Sequence, residues 1–173
     1  MASTITTQTL VDSTSRTVIK VTGTGSGDAN VKIIAAANLS GALTSNGNNL
    51  LTLGDTTNKK SVYRTSVRRI WGQGQMASGN NYVSLNWYGN SNTRIVTFGA
   101  GQFDYNFGTD GSLGSISIPD SANCTGDICI TTSTGAADAW TVFVDLKKDG
   151  RDYSQGQHRD PRAFNYGTGY NGA

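Results

Sequence analysis

The clearest alternation of apolar and polar residues along the chain lies in residues 139–148. Successive side chains of a β-strand point to opposite faces, so this segment predicts a strand with one apolar face. That face carries Trp140, Val142, Val144 and Leu146. Residues 125–132 alternate in the same way, and the small, polar link 133–138 suits a turn. The pattern predicts two paired strands within residues 123–148, which would form the centre of a β-sheet.

Shorter segments with β-branched and aromatic residues recur along the rest of the chain, separated by Gly, Asn and Ser. They are residues 16–22, 31–37, 50–53, 61–71, 82–88, 94–98 and 115–118. Residues 16–22 lead into a glycine-rich turn and are expected to pair with residues 31–37. This turn lacks the Lys-Ser/Thr ending and the following helix of a phosphate-binding loop, so a β-turn or hairpin loop is the favoured interpretation.

Many short strands with no helical pattern between them predict an all-β protein. The expected architecture is an antiparallel β-sandwich of about eight strands, jelly-roll-like, because such folds bury one face of many short strands. The chain has 173 residues, a length typical of a single domain. Only 36% of the residues are hydrophobic, which predicts a thin core. We expect the sandwich to span residues 16–148, with extended arms at both ends.

The two ends of the chain differ in character from this central part. Residues 1–15 are rich in Ser and Thr and predict an N-terminal arm or an edge strand. Residues 149–173 predict a C-terminal arm, since they carry too little apolar area to form a core. Disordered segments are poor in aromatic residues, so the four aromatic residues here favour docking on a neighbouring subunit over a flexible tail. These interaction candidates are Tyr153, Phe164, Tyr166 and Tyr170.

The residue types argue against catalysis and against a bound cofactor or metal. The chain has one histidine, His158, and its 12 acidic residues are all Asp. No nucleophile elbow, zincin helix or glycosidase carboxylate pair is evident, so we expect no enzyme activity. Cys124 and Cys129 flank a short turn, and we expect two partly buried, inert thiols, with a disulfide between them as the alternative.

The net charge of +2 gives no general attraction to nucleic acid. The N-terminus has neither the charged nor the apolar region of a secretory signal, and no apolar run approaches the length of a membrane span. We therefore expect synthesis in a cytoplasm and no membrane partner.

A cluster of cations interrupts this even distribution of charge. In the predicted strand 61–71, Arg64 and Arg68 share one face, whereas Arg69 points to the other. One parity of the same strand carries Tyr63, Val67 and Trp71. The cluster could contact an acidic subunit, bind nucleic acid or keep a sheet edge soluble. Together with two tyrosines it gives a candidate interaction face, which consists of Arg64, Arg68, Arg69, Tyr82 and Tyr88.

The two tyrosines of this face suggest a second class of function. Tyr82 and Tyr88 share the predicted exposed parity of strand 82–88 and lie beside Asn-rich loops. Tyrosine rings in such a setting could stack on sugars, which favours a lectin-like module as the alternative, although most such rings pack or line interfaces.

Several short motifs resemble a family of small structural proteins of tailed bacteriophages, particularly marine ones. The motifs lie in residues 11–23, Leu39-Ser40-Gly41-Ala42, Ile70-Trp71, Leu85-Asn86-Trp87, Thr125-Gly126-Asp127-Ile128 and the strand 140–148. The resemblance implies a virion component without enzymatic activity and without a transferable site. Members of the family commonly stop after the last Lys-rich strand, whereas this chain continues for residues 149–173.

The resemblance and the chain's own pattern together predict a capsid decoration or cement protein. Its partners would be the major capsid protein or other virion subunits. We expect the protein itself to form a homo-oligomer and to be located in the virion. A neck or tail component and the carbohydrate-binding module for host attachment are the alternatives. Nucleic acid and membranes are not expected partners.

Overall fold

The computed structural model describes residues 3–44, 59–108, 115–119 and 123–154. These residues form ten β-strands and one 3-10 helix at Ala36–Asn38. The strands are β1 (Thr4–Asp12), β2 (Arg16–Thr24), β3 (Val31–Ile34), β4 (Thr65–Gln75), β5 (Tyr82–Trp87), β6 (Thr93–Phe98), β7 (Gly101–Asn106), β8 (Ile116–Ser117), β9 (Ile128–Ser133) and β10 (Ala139–Lys148). The strand predicted at residues 50–53, and the arm residues Phe164, Tyr166 and Tyr170, lie outside the described residues.

The strands form two antiparallel sheets that pack face to face, which confirms the predicted all-β sandwich. The six-stranded sheet has the order β1-β2-β10-β4-β7, and β8 adds to β4. The four-stranded sheet has the order β3-β9-β5-β6. Its inner face supplies Val83, Leu85 and Trp87 to a core that the inner face of β10 completes from the opposite sheet. Each such side chain that is fully buried contributes about 1.5–3 kcal/mol.

The prediction for residues 139–148 is confirmed, because β10 is a central strand whose apolar face is buried. Val142, Val144 and Leu146 are each 0% exposed. Trp140 lies in register with Gly23 on β2 and Gly74 on β4. A Cβ atom at Gly23 would lie 2.1 Å from Cζ2 of the indole, so the glycine makes room for the largest side chain of the strand.

The predicted pairing of the two strands within residues 123–148 is wrong. β9 pairs with β3 and β5, whereas β10 pairs with β2 and β4 in the other sheet. Each strand has one apolar face, and the two faces become buried by facing each other across the sandwich rather than by lying side by side. The predicted pairing of residues 16–22 with residues 31–37 is wrong for the same reason, since β2 and β3 also lie in different sheets.

Two of the connections that cross between the sheets, β2 to β3 and β9 to β10, run beside each other at one corner of the sandwich. The glycine-rich run after β2 donates from Gly25 N to Asp138 O at 3.1 Å and from Gly27 N to Thr134 O at 3.1 Å. Gly25 has φ 92°, a left-handed conformation that favours glycine. The glycine-rich run is therefore a corner between sheets rather than a hairpin loop.

A β-bulge in β4 changes which side chains face outward. Asp145 of β10 pairs with Arg69, and the next residue of β10 pairs with Val67, so Arg68 is the extra residue. Val67 is 0% exposed and belongs to the core, whereas Trp71 lies outside it. The predicted common parity of Tyr63, Val67 and Trp71 is therefore wrong for Trp71, because one inserted residue reverses the alternation beyond it.

The domain extends past Lys148, contrary to the predicted boundary. Tyr153 is 0% exposed, its hydroxyl donates to Ala36 O at 2.8 Å, and its ring lies 5.6 Å from that of Tyr63. Ser154 N donates to Gly41 O at 2.7 Å. The assignment of Tyr153 to an intersubunit arm is wrong, because this side chain fills the core of its own chain.

The N-terminal segment, for which an arm and an edge strand were the alternatives, forms the edge strand β1. It pairs with β2 from Thr4 to Asp12, with a bulge between Thr9 and Val11. Its far end is fastened by Lys148, whose Nζ lies 2.5 Å from Asp12 Oδ1 and 2.6 Å from Ser13 O. The β1 strand is thus held to the sheet by its backbone pairing with β2 and, at its C-terminal end, by the side chain of Lys148.

Candidate binding surfaces

A groove of about 660 Å³ lies on the outer face of the six-stranded sheet. Trp71 on β4 and Phe143 on β10 are direct register partners, and both side chains line the groove. Their rings are stacked, with centroids 5.1 Å apart and planes inclined by 6°. The β4 bulge produces this arrangement, because it places Trp71 on the same outer face as Phe143. The groove therefore has an aromatic pair held by two central strands.

The rest of the lining combines the amides and hydroxyl of three residues with Lys20, Asp104, Gly72 and Phe103. Gln73, Gln102 and Thr141 lie in register on three neighbouring strands, next to the aromatic row. A second hollow of about 370 Å³ shares these three residues and continues along the strands. It ends among Thr22, Thr24, Gln75 and Ala139. From Trp71 to Gln75 the surface is about 14 Å long at the usual rise of a strand.

Charged groups at the other side of the aromatic pair are mutually neutralised. The Arg69 guanidinium lies 5.0 Å from the Trp71 ring centroid and its Nε donates to Asp104 Oδ1 at 2.9 Å. These hydrogen bonds hold the pKa of Asp104 below its ordinary value and raise that of Arg69. In the adjoining row, Arg16 Nε donates to Asp145 Oδ1 at 3.0 Å. The surface is therefore polar but carries little net charge.

The predicted basic and aromatic face does not exist as one surface. Arg64 pairs with Asp152, with 3.1 Å between Nη1 and Oδ2, and Arg69 pairs with Asp104. Arg68 lies at the bulge of β4 in the six-stranded sheet, whereas Tyr82 begins β5 in the four-stranded sheet. The structure separates the arginines from the tyrosines because β4 and β5 are joined by a connection that crosses the sandwich.

The two tyrosines are also separated from each other. Tyr82 and Tyr88 lie six positions apart along one extended segment, about 20 Å at the usual strand rise. Tyr82 is 37% exposed at one end. At the other end, Lys32 Nζ lies 4.3 Å above the Tyr88 ring centroid. The structure therefore does not bring the tyrosines together as a sugar-stacking pair.

Between the tyrosines, the outer face of the four-stranded sheet is filled by short polar side chains that bond to one another. Ser84 and Asn86 are only 3% and 7% exposed. Ser84 Oγ donates to Asn86 Oδ1 at 3.2 Å, and Thr97 Oγ1 donates to Ser84 Oγ at 3.2 Å. Because these groups satisfy one another, this face offers few side chains for a ligand.

Both cysteines are free and buried. Burial raises the pKa of the Cys129 thiol to about 11 and also raises that of Cys124. Thiolates are the reactive form of cysteine, so burial and the raised pKa both disfavour the reactive form of these side chains near neutral pH. The expectation of two inert thiols is consistent with this placement, although burial is more complete than expected.

The exposed edge of β1 is the other surface on which a partner could bind. Among the described strands, β1 pairs with β2 alone. Leu10 and Val11, at the bulge, are 46% and 41% exposed. Of the other described edge strands, β3 carries Lys32, β6 carries Arg94 and β7 carries Asp104, whereas the short β8 carries no charge. In β1 the only charged side chain is Asp12 at its end, which is bound to Lys148.

Charges within a strand are a common protection against unwanted edge pairing. The β1 edge has no charged side chain from Thr4 to Val11, and it is nine residues long, compared with two to six for the other described edge strands. Among the edges that the described residues form, the β1 edge is therefore the best suited to pairing with a further strand.

Among the described residues, no group of three or more potential metal ligands occurs and no helix is long and apolar enough to cross a membrane. No protein-family model, no curated protein and no solved structure matches the chain significantly.

The groove could not be predicted from the sequence, because the β-bulge in β4 leaves no signal in the pattern of apolar and polar residues. The signal that was present is the alternation of Trp71, Gln73 and Gln75, a large aromatic followed by amides at every second position. Such a row is expected on an outer face once the parity of the strand is known.

Proposed function

We propose that this chain is a non-enzymatic structural protein of a bacteriophage virion, and that it acts as a capsid decoration or cement protein. The observation that carries the proposal is the long edge of β1, which has no charged side chain from Thr4 to Val11 and exposes Leu10 and Val11. An edge strand of this kind binds a neighbouring chain by extending its sheet, with main-chain hydrogen bonds that need no special side chains. The neighbour would be the major capsid protein or another virion subunit.

The order of the strands supports a jelly roll as the finer architecture. Eight strands remain when β1 and β8 are set aside, and they pair first with last, second with second-last, and so on inward. The pairs are β2 with β10, β3 with β9, β4 with β7 and β5 with β6. Jelly rolls of this topology are common in viral capsid and lectin domains. A fold does not define a function, so this strand order supports the proposal only by analogy. The argument for a binding surface still rests on the β1 edge.

The proposed mechanism is mechanical. Each bound copy adds interface area across a seam between shell subunits, and binding to the assembled shell stabilises it by mass action. We still predict that Phe164, Tyr166 and Tyr170 contact the same neighbouring subunits. The β1 edge and these residues would then be two attachment points on one chain, which strengthen binding together.

The edge is tested by placing a charge in it. In Leu10→Lys, a lysine at the bulge opposes pairing with a neighbouring strand, as lysines do on natural edge strands. The matched control is Ser133→Lys, which adds the same charge at an exposed strand end of the four-stranded sheet. Each variant competes with wild type for incorporation into particles. We expect Leu10→Lys to be incorporated at least about tenfold less, whereas the control is incorporated normally. Equal incorporation of Leu10→Lys would show that β1 is not the attachment edge.

The neck or tail alternative differs from decoration in copy number rather than in chemistry. Decoration follows the symmetry of the shell, whereas a neck or tail ring follows a cyclic symmetry of low order. The carbohydrate-binding alternative, as placed on Tyr82 and Tyr88, is weakened by the distance between them.

A further inference from the structure

The groove beside Trp71 and Phe143 has a composition that the proposed virion role does not require. Both rings are half-buried and line the groove, which leaves part of their apolar surface open to a ligand. Next to them, Gln73, Gln102 and Thr141 present amide and hydroxyl groups at one level of the sheet. All these side chains stand on paired strands, so a ligand would meet a surface that is ordered before it binds.

A protein partner fits this surface poorly. Protein–protein interfaces have an apolar centre surrounded by a polar rim. Here the apolar side chains form one edge, and the amides and hydroxyls of Gln73, Gln102, Thr141 and Thr22 occupy the centre of the combined groove. Such a surface would leave many polar groups unsatisfied beneath an apolar partner.

A polyanion also fits poorly. Binding of nucleic acid depends on cations that replace counterions along a phosphate backbone. The lining of the larger groove contains one cation and one anion, Lys20 and Asp104. The neighbouring cations Arg16 and Arg69 are paired with Asp145 and Asp104. The charge of the groove is therefore close to balanced, which favours a neutral ligand.

A neutral oligosaccharide has the complementary chemistry. The C–H faces of its rings are apolar and pack on aromatic side chains, and its hydroxyls both donate and accept hydrogen bonds. Glutamine side chains also do both, and threonine hydroxyls do so as well. A length of about 14 Å from Trp71 to Gln75 suits a short oligosaccharide rather than a single sugar.

We propose that the outer face of the six-stranded sheet binds a neutral oligosaccharide, with Trp71 and Phe143 in apolar contact with one sugar ring. Gln73, Gln102 and Thr141 hydrogen-bond hydroxyls of the same ring or the next one. The site is distinct from Tyr82 and Tyr88, and it does not depend on the β1 edge, so it stands or falls independently of the virion proposal.

The test uses the full chain on an array of immobilised oligosaccharides. The probes are neutral hexose and N-acetylhexosamine oligosaccharides in both anomeric linkages, with sialylated and sulfated glycans beside them. The neutral trisaccharide with the strongest signal is then titrated by calorimetry into wild type, Trp71→Ala and Gln102→Ala. The matched control is Tyr82→Ala, which removes an exposed aromatic side chain from the outer face of the opposite sheet.

We expect binding of a neutral glycan, and at least about tenfold weaker binding by Trp71→Ala and by Gln102→Ala. Tyr82→Ala is expected to bind as wild type does. Thermal unfolding checks the fold of each variant. If Trp71→Ala does not fold, Phe143→Leu keeps apolar volume at the aromatic pair and replaces it in the titration.

Three results would overturn the proposal. The first is the absence of neutral-glycan binding across the array. The second is binding that persists unchanged in both groove variants. The third is binding confined to sialylated or sulfated glycans, which would identify a charge-driven site instead.

Discussion

The Nζ atom of Lys148 lies 2.5 Å from Oδ1 of Asp12, and the lysine side chain is fully buried. Burial lowers the pKa of Lys148 below its ordinary value, and the hydrogen bond to Asp12 opposes that change. Ser13 O and Ser40 O accept from the same ammonium group at 2.6 and 2.7 Å. One side chain at the end of β10 therefore fastens the end of β1 and the loop after the 3-10 helix.

Replacing this lysine should destabilise the domain. In Lys148→Met the apolar stem is kept, but Asp12 and the carbonyl groups of Ser13 and Ser40 lose the hydrogen bonds from the ammonium group. We expect the free energy of unfolding to fall by about 1.5–3 kcal/mol, the usual contribution of hydrogen bonds to a charged group, because Asp12 is partly exposed and keeps its hydrogen bonds from Thr17 and Ser40. Urea unfolding measures the change. The neighbouring Lys147→Met, at an exposed position, should change it by less than about 0.5 kcal/mol. Equal effects of the two changes would contradict the anchoring role.

The position of the C-terminal boundary gives a second prediction. A chain that ends at residue 148 lacks Tyr153 and the carboxylate of Asp152, which pairs with Lys60 and Arg64. We expect it to lose at least about 3 kcal/mol of unfolding free energy, similar to removal of a large buried aromatic side chain. A chain that ends at residue 154 keeps these contacts, so we expect it to be more stable than the chain that ends at residue 148 by at least about 3 kcal/mol.

The same pair of truncations separates stability from attachment. If Phe164, Tyr166 and Tyr170 dock on a neighbouring subunit, the chain that ends at residue 154 should be folded but poorly incorporated into particles. Full incorporation of that truncation would show that these three residues are not an attachment device.

The corner between the sheets predicts a pH dependence. The Asp138 carboxylate accepts from Ala77 N at 2.6 Å, from Gly135 N at 2.7 Å and from Asn81 Nδ2 at 2.7 Å. These hydrogen bonds hold the pKa of Asp138 below its ordinary value. Because the folded carboxyl binds its proton less readily than the unfolded one, its contribution is present above about pH 4 and is lost as the pH falls further.

The variant Asp138→Asn removes this titration. We expect it to be less stable than wild type at neutral pH, with a difference that shrinks as the pH falls from about 4 towards 2. Chemical unfolding across that range measures the two curves. Parallel curves for the two proteins would contradict a stabilising role of the ionised carboxyl.

The sequence could predict strands wherever one face is continuously buried. Trp140, Val142 and Val144 alternate without interruption because β10 packs on the core along its whole inner face. What the alternation could not give was the partner of each strand. β9 and β10 are close in sequence, but their apolar faces meet from opposite sheets, and period-two patterns look the same in either arrangement.

Two local features explain why the candidate binding surfaces could not be read from the sequence. The extra residue Arg68 reverses the parity of β4, so strict alternation along the sequence predicts the wrong face for Trp71. Tyr153 stands alone among polar residues, and its contacts with Ala36 and Tyr63 span long sequence separations. Neither a bulge nor a single long-range contact leaves a periodic signal.

The central claim is that this chain decorates a virion shell, and the copy number per particle tests it most directly. Quantitative mass spectrometry of purified virions would count this chain against the major capsid protein. The proposal predicts a fixed ratio to that protein, with on the order of hundreds of copies per particle. A count of about a dozen or fewer would place the chain in a neck or tail ring instead. Its absence from purified virions would contradict the proposal altogether.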